Sequence, residues 1–400
     1  MDSSVLFVVN GFSSDNIQLQ PWRYVYELAK HKSKTSDVFI LTNGGTDYKE
    51  IDLDEHIKII ETNVLSITRQ TKLLELISSI NPSELWWSTT QRSIAYYPLL
   101  SRIKCRKIAF ITCPIYKWSE LLKATLSGIP YELTKALWSQ RVVPRLLFKL
   151  LLNSKTISKI AVQSSNNKSI LQGYGVNPNK INLIPVGIDS DDDKPIKQDD
   201  FMQVSDTLNR DGDEVVFLYL GAARPIRGFD SLLKAFPAVA NKNDNARLVV
   251  LARGASQEQC DHITSELKKT GSDKNITLVS GWLTKEQVLS YLELSDVVVL
   301  PFILVPSDIP VAALEALARG KPIVVSQADG LPELAEKRGI IVDPLDKNKF
   351  ADELYKLSTN RQQVELYADA ARKFISNYPR WQDVGSIVDN VCNNEADNKT

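Results

Sequence analysis

Two arginines and a glutamate carry the most specific chemistry in this chain of 400 residues. Arg224 and Arg227 lie within six residues of Gly221, and Gly228 follows directly. Small residues let the backbone close on a ligand, and two guanidinium groups can neutralise a diphosphate through paired hydrogen bonds. A second anion-friendly feature is the run Ser307-Asp308-Ile309-Pro310-Val311-Ala312. It predicts a helix start, with Ser307 or Asp308 as cap and Pro310 in the first turn. The free amides around Ile309–Ala312 would turn positive partial charge toward an anion or a sugar oxygen. Glu315, about two turns into that helix, can accept hydrogen bonds from ligand hydroxyls. Arg253 ends another apolar run and either approaches the phosphates or extends into solvent.

These residues need elements that hold them at one edge. Val215–Leu220, Ala246–Leu251, Ile276–Val279, Asp296–Leu300, Pro322–Ser326 and Ile340–Val342 read as short buried strands. Between them Phe229–Ala240, Gln257–Lys269 and Lys285–Leu294 read as helices, followed by Lys347–Ser358 and Arg361–Asn377. Alternation of this kind predicts a parallel sheet covered on both faces, with ligands outside the strands' C-terminal ends. Gly320 and Pro322 stop the helix bearing Glu315, and Pro306 punctuates the loop before it. The first half has the same rhythm in Val5–Val9, Asp37–Leu41, Ile57–Ile60, Glu84–Ser88, Lys107–Ile111, Lys159–Val162 and Ile181–Ile184. Helices are expected at Pro21–Lys30 and Ser66–Ser79.

A chain this long is expected to hold two cores. Residues 1–190 form the first domain, 191–213 an acidic, weakly periodic linker, and 214–378 the second domain. Residues 379–400 form a helix crossing back, Arg380–Cys392, and a polar tail. The net charge is zero, yet residues 1–190 carry 23 Lys+Arg against 15 Asp+Glu, a net of +8, and the remainder carries 25 against 33, a net of −8. The basic half fits either an anionic partner or an uneven scatter of charge. Tyr116–Lys155 breaks the alternation, with seven basic residues (Lys117, Lys123, Lys135, Arg141, Arg145, Lys149, Lys155) interleaved with Trp118, Trp138, Phe148 and leucines. This composition fits an amphipathic helix in a membrane interface, or a helical hairpin packed on the domain. Four cysteines without CxxC spacing point to a reducing compartment, and no run approaches a membrane span or a signal peptide. A cytoplasmic location, on or off the inner membrane face, is the expectation.

Taken together, IPVGID (Ile184–Asp189), LYLGAARPIRGFDSLLKAF (Leu218–Phe236), ARLVVLARG (Ala246–Gly254), VSGWLTKEQVLSYLELSDVVVLP (Val279–Pro301) and PSDIPVAALEALARGKPIVV (Pro306–Val325) resemble, in order, the donor domain of retaining glycosyltransferases of family 4. The resemblance implies a GT-B fold, α/β with two Rossmann-like doubly wound domains and a cleft between them. It implies transfer of a sugar from a nucleotide diphosphate-sugar, a UDP- or GDP-sugar, to a lipid-linked or polysaccharide acceptor, with no cofactor. By that resemblance Arg227 stabilises the leaving phosphate together with Arg224, and Glu315 accepts the ribose hydroxyls. Gly281–Leu283 brackets the base, with Leu283 in contact and Trp282 either there or at the surface. Gly221, Arg253, Ser307, Ile309, Pro310 and Val311 complete the donor contacts.

One departure stands out. The family's first glutamate, eight residues before Glu315, is Ser307 here, so either Asp308 takes over part of its role or the sugar is held by the Ile309–Val311 amides. None of His31, His56 and His262 occupies a family catalytic position, and all three read as surface residues. No acidic metal motif follows a strand, so metal-independent transfer is expected. The alternative is a catalytically silent member that binds nucleotide or glycan as a scaffold. No nucleic-acid reader motif occurs.

Overall fold

The computed structural model of the protein describes residues 3–190, 192, 194–210, 212–269, 271, 273–305 and 307–393. Pro306, the first and third aspartates of the 191–193 run and the tail from 394 on lie outside the described residues.

The first sheet contains β1 (Ser4–Val8), β2 (Asp37–Asn43), β3 (Lys49–Asp54), β4 (Ile57–Thr62), β5 (Glu84–Ser88), β6 (Arg106–Ile111), β7 (Lys159–Val162) and β8 (Ile181–Leu183). Its order is β3-β4-β2-β1-β5-β6-β7-β8. Apolar, often β-branched runs build the centre because both faces are covered: Leu6 and Phe7 are 0% exposed although they point to opposite faces. All pairings are parallel except β3 with β4. The strand reading had no counterpart for β3, whose charged residues alternate with Ile51 and Leu53 on an exposed edge.

The second sheet contains β9 (Val215–Ala222), β10 (Ala246–Arg253), β11 (Ile276–Gly281), β12 (Val297–Leu300), β13 (Ile323–Ser326) and β14 (Gly339–Val342). It is parallel throughout and ordered β11-β10-β9-β12-β13-β14. The order reverses between β9 and β12, and between β1 and β5 in the first sheet. A crevice therefore opens above each of these points. The expectation of two doubly wound α/β domains with a cleft between them holds.

Three local readings change. Within 191–213, Gln198–Leu208 is a helix packed against Lys285–Leu294; only Val204 and Leu208 are buried, too few to give a clear period. The Tyr116–Lys155 segment is three short helices, Trp118–Leu126, Tyr131–Arg141 and Arg145–Asn153. Gly128-Ile129-Pro130 and Pro144 break it, since proline cannot continue a helix. Within it Arg141 is buried at 6% exposure, so it is not part of the basic surface. His31, read as a surface residue, is half-buried and bonds through Nε2 to Asp389 Oδ2 at 2.7 Å.

That bond fixes the C-terminal helix, Trp381–Asn393, which crosses back onto the first domain as expected. Gly385 makes the crossing possible, because a Cβ there would sit 2.2 Å from His31 Nδ1. At the return point Ile188 N donates to Pro379 O at 3.2 Å. Gly187 meets the Trp381 backbone, where an added Cβ would lie 2.8 Å from its nitrogen.

Candidate active site in the interdomain cleft

The candidate site is built where β9 and β12 part. After β9, Arg224 N donates to Ala222 O at 2.8 Å, and Pro225–Arg227 makes one tight turn. Gly228 closes the turn at φ +67°, and a Cβ there would fall 1.8 Å from Pro301 O. No other residue fits, so the two loops meet backbone to backbone. Ile303 N and Leu304 N both donate to Ile226 O, at 2.9 and 3.0 Å, and fix the β12 loop to the arginine turn.

Arg227 is half-buried, with its guanidinium 4.6 Å from the centre of the Phe302 ring. Burial lowers its pKa, Tyr219 and Tyr116 oppose that, and Arg224 lowers it further. Arg224 is exposed. The remaining donor-side candidates line the same sheet edge. Ala252 pairs in register with Gly221 and Arg253 with Gly281. Leu283 is half-buried against the core, and Trp282 is 74% exposed.

The helix carrying Glu315 opens at Val311, with Pro310 rather than Ser307 or Asp308 at the cap position. The chain dives into the protein before it reaches the helix: Ser307, Asp308 and Ile309 are 3%, 0% and 1% exposed. Ser307 therefore cannot cap at the surface as the sequence reading had it. Asp308 N instead donates to Thr112 O of the first domain at 2.8 Å. Neither oxygen of the Asp308 carboxyl makes a hydrogen bond of good geometry, although Ser164 and Asn167 lie close to it. Burial pushes its pKa to about 7; Ser164 and Asn167 nearby pull down and Glu333 pushes up. The structure thus places Asp308 toward the first domain, apart from the two arginines.

Glu315 stands on the other side of the same helix start, half-buried. Burial raises its pKa to about 7; Asp192 and Asp189 add to this, while Arg253 and Lys285 lower it. A carboxyl of this kind can accept hydrogen bonds from hydroxyl groups once it is ionised. It belongs to a network the sequence reading did not assemble. Asp189 Oδ1 meets Arg23 of the first domain at 2.8 Å, and its Oδ2 meets Lys285 at 2.9 Å. Lys285 also reaches Asp192 Oδ1 at 3.0 Å. The Asp189 end of the quoted IPVGID phrase was the available signal.

Tyr116 and Asp329 also escaped the sequence reading. Tyr116 Oη accepts from Val305 N at 2.7 Å and lies 3.2 Å from both Val305 O and Asp329 Oδ2. Burial, the Asp308 charge and Glu120 raise the Asp329 pKa well above the carboxylate range, against the Tyr116 bond. Partners more than 180 residues apart leave no local pattern.

Residues 214–360 match the family model "Glycosyl transferases group 1". The chain is 23% identical over 227 residues to lipopolysaccharide 1,2-N-acetylglucosaminetransferase of Salmonella typhimurium, covering 54% of this chain and 57% of that one. It is 25% identical over 177 residues to GDP-mannose-dependent alpha-(1-6)-phosphatidylinositol monomannoside mannosyltransferase of Mycobacterium tuberculosis, covering 42% and 45%. The matched stretch thus spans about half the length of these relatives. A glycosyltransferase from Rickettsia africae superposes with a TM-score of 0.73 at 16% identity, over 99% of both chains. The GT-B fold expected from the sequence holds, and the group 1 match falls on residues 214–360 of the second domain.

Proposed function

We propose, from a second domain of the group 1 glycosyltransferase type, that this chain transfers a sugar from a nucleotide diphosphate-sugar to a glycan or lipid-linked acceptor. The observation that carries the reading is Arg227, half-buried over Phe302 at the point where β9 and β12 part. A guanidinium held there in a low-dielectric cleft stabilises charge on a departing diphosphate far better than one in water. Arg224 adds a second donor from the rim. Gly221 lets the phosphates approach the β9 exit, and the Ile309–Val311 backbone faces the sugar. Glu315 takes the ribose and Leu283 the base, with Arg253 beside them at the edge.

In this reading the bond from sugar to phosphate breaks and the acceptor oxygen bonds the anomeric carbon on the same face. Its proton passes to the departing phosphate, so configuration is retained and no separate base is required. The two arginines supply the charge that a metal would otherwise supply. The acceptor side draws on two observations. The phosphatidylinositol-directed mannosyltransferase acts on a lipid by its name. In this chain Leu122, Leu126, Leu146 and Leu150 are each more than half exposed, beside Lys117 and Arg145. We read that surface as a peripheral contact with an anionic membrane.

The test is turnover of a panel of UDP- and GDP-sugars with product analysis. Arg227→Ala should lower kcat/KM by about a hundredfold or more, while excess EDTA leaves the rate intact. A rate that collapses in EDTA and returns with Mg²⁺ would remove the metal-independent step. The scaffold reading draws on buried Ser307 at the position of the family's first glutamate; donor binding without any product from the panel would favour it.

A further inference from the structure

We propose that a cavity in the first domain, beneath the helix Tyr131–Arg141, anchors an anionic group of the acceptor, a phosphoryl or a carboxylate, on Arg141. The proposal deepens the transferase reading and rests on it for the word acceptor; the anion site itself stands on the cavity alone. About 360 Å³ of empty space, counting its mouth, lies at the C-terminal ends of β5 and β6. Thr89, Thr90, Cys113, Tyr116, Gln140 and Arg141 give it a polar lining over an apolar floor that includes Ile111 and Phe148. Much of that space is the open mouth, and the part enclosed by protein admits a single small oxyanion with the rest of the molecule outside.

Arg141 gives the cavity its selectivity. It is 6% exposed, and its Nε–H has no partner. One terminal nitrogen meets the Gln91 amide oxygen at 3.0 Å once that amide is oriented to suit its neighbours. Among the described residues no carboxylate lies within ion-pair distance of Arg141. A buried guanidinium with only a neutral partner is a poor arrangement for stability, because its desolvation is not repaid. An incoming oxyanion repays it, and the planar guanidinium group fits phosphate or carboxylate two-pronged.

Position links the anchor to the donor side. β5 and β6 lie beside the point where the first sheet reverses its order, where ligands of parallel sheets bind. Tyr116 lines the cavity and bonds Val305 of the donor-side loop. Thr112, next to the lining Cys113, receives Asp308 N. An acceptor held at Arg141 therefore extends toward the cleft where the sugar is presented. The +8 net charge of residues 1–190 draws anions to this side.

Calorimetry on the full chain tests the proposal in an Arg227→Ala background, which weakens anion binding at the donor site. The probes are inorganic phosphate, glucose 6-phosphate, uncharged glucose, and phosphatidylcholine vesicles with and without phosphatidic acid. Adding Arg141→Gln should weaken phosphate or sugar-phosphate binding at least tenfold, or abolish the phosphatidic acid dependence of vesicle binding. Glucose should be unaffected. Loss with the soluble anions assigns a soluble acceptor group, and loss with the vesicles assigns a lipid head group. Arg141→Lys, which keeps the charge and the fold, should restore part of the binding. Anion binding that is equal with arginine and glutamine at 141, or a parallel loss for glucose, overturns the site. Donor turnover is read separately, so a failed anchor and a failed transferase reading give different results.

Discussion

Asp308 is the residue on which sequence and structure diverge most. A carboxylate beside a helix start reads as a cap or a sugar ligand, but this one is turned inward and makes no hydrogen bond of good geometry through its oxygens. Its burial makes a prediction with a definite sign. The native pKa of about 7 lies above the ordinary value of 3.8, so the folded state holds the proton more tightly than the unfolded one. The stabilisation this provides is complete below about pH 4 and is lost as pH rises through about 7. The advantage of Asp308→Asn over the wild type should therefore grow between pH 5 and pH 8 by roughly 1–3 kcal/mol in urea unfolding. Glu315, also near 7, bends both curves alike, so the difference isolates Asp308 and its coupling to Asp329. Curves that run parallel from pH 5 to pH 8 would show that the buried carboxyl stays ionised. The arginine turn, by contrast, was legible because Gly221, Arg224, Arg227 and Gly228 act within eight residues. Asp308 was not, because its direction is set by Ile226 O, which grips the loop at Ile303 and Leu304, and by Thr112 from the other domain.

At the scale of elements, strands buried on both faces were readable as apolar runs, and helices as alternating segments. Misreadings fell on elements whose burial is slight: β3 at a charged edge, and Gln198–Leu208 with two buried residues. The joint between the loop after β6 and the loop after β12 lay beyond sequence reading, since each half looks like an ordinary loop. Tyr116→Phe tests that joint. The change removes the only side-chain acceptor that Val305 N has among the described residues, at a site where Val305 is 1% exposed. A buried amide left without a partner costs about 1–3 kcal/mol. The urea midpoint should fall accordingly, and donor affinity should drop with it, because the loop that positions Phe302 under Arg227 loses one of its ties to the first domain and keeps the bond from Asp308 N to Thr112 O. A midpoint unchanged within about 0.5 kcal/mol would mean that water replaces the hydroxyl and the joint is incidental.

The whole molecule is polar in charge and in exposed apolar surface alike. The second half is acidic and the first half basic, while Leu122 and Leu126 lie exposed on Trp118–Leu126, and Leu146, Leu147 and Leu150 on Arg145–Asn153, both in the basic half. Folding has not used these leucines: Leu121, Phe148, Leu151 and Leu152 already fill the inward faces of the same helices. Two amphipathic helices remain with apolar residues outward and Lys117 and Arg145 at their starts, an arrangement suited to the boundary between head groups and acyl chains. Each buried leucine contributes about 1.5–3 kcal/mol at most, and a basic residue near an anionic surface about 1 kcal/mol. Reversible binding is the expectation, dependent on both contributions. The chain should float with vesicles containing phosphatidylglycerol and not with pure phosphatidylcholine. Leu146→Ser with Leu150→Ser should release it at any salt concentration, whereas Arg145→Glu should release it mainly at low salt, where screening is weak. These positions are exposed, so the folded chain should keep its urea midpoint. Flotation that survives the paired leucine change would assign membrane contact to another face of the molecule.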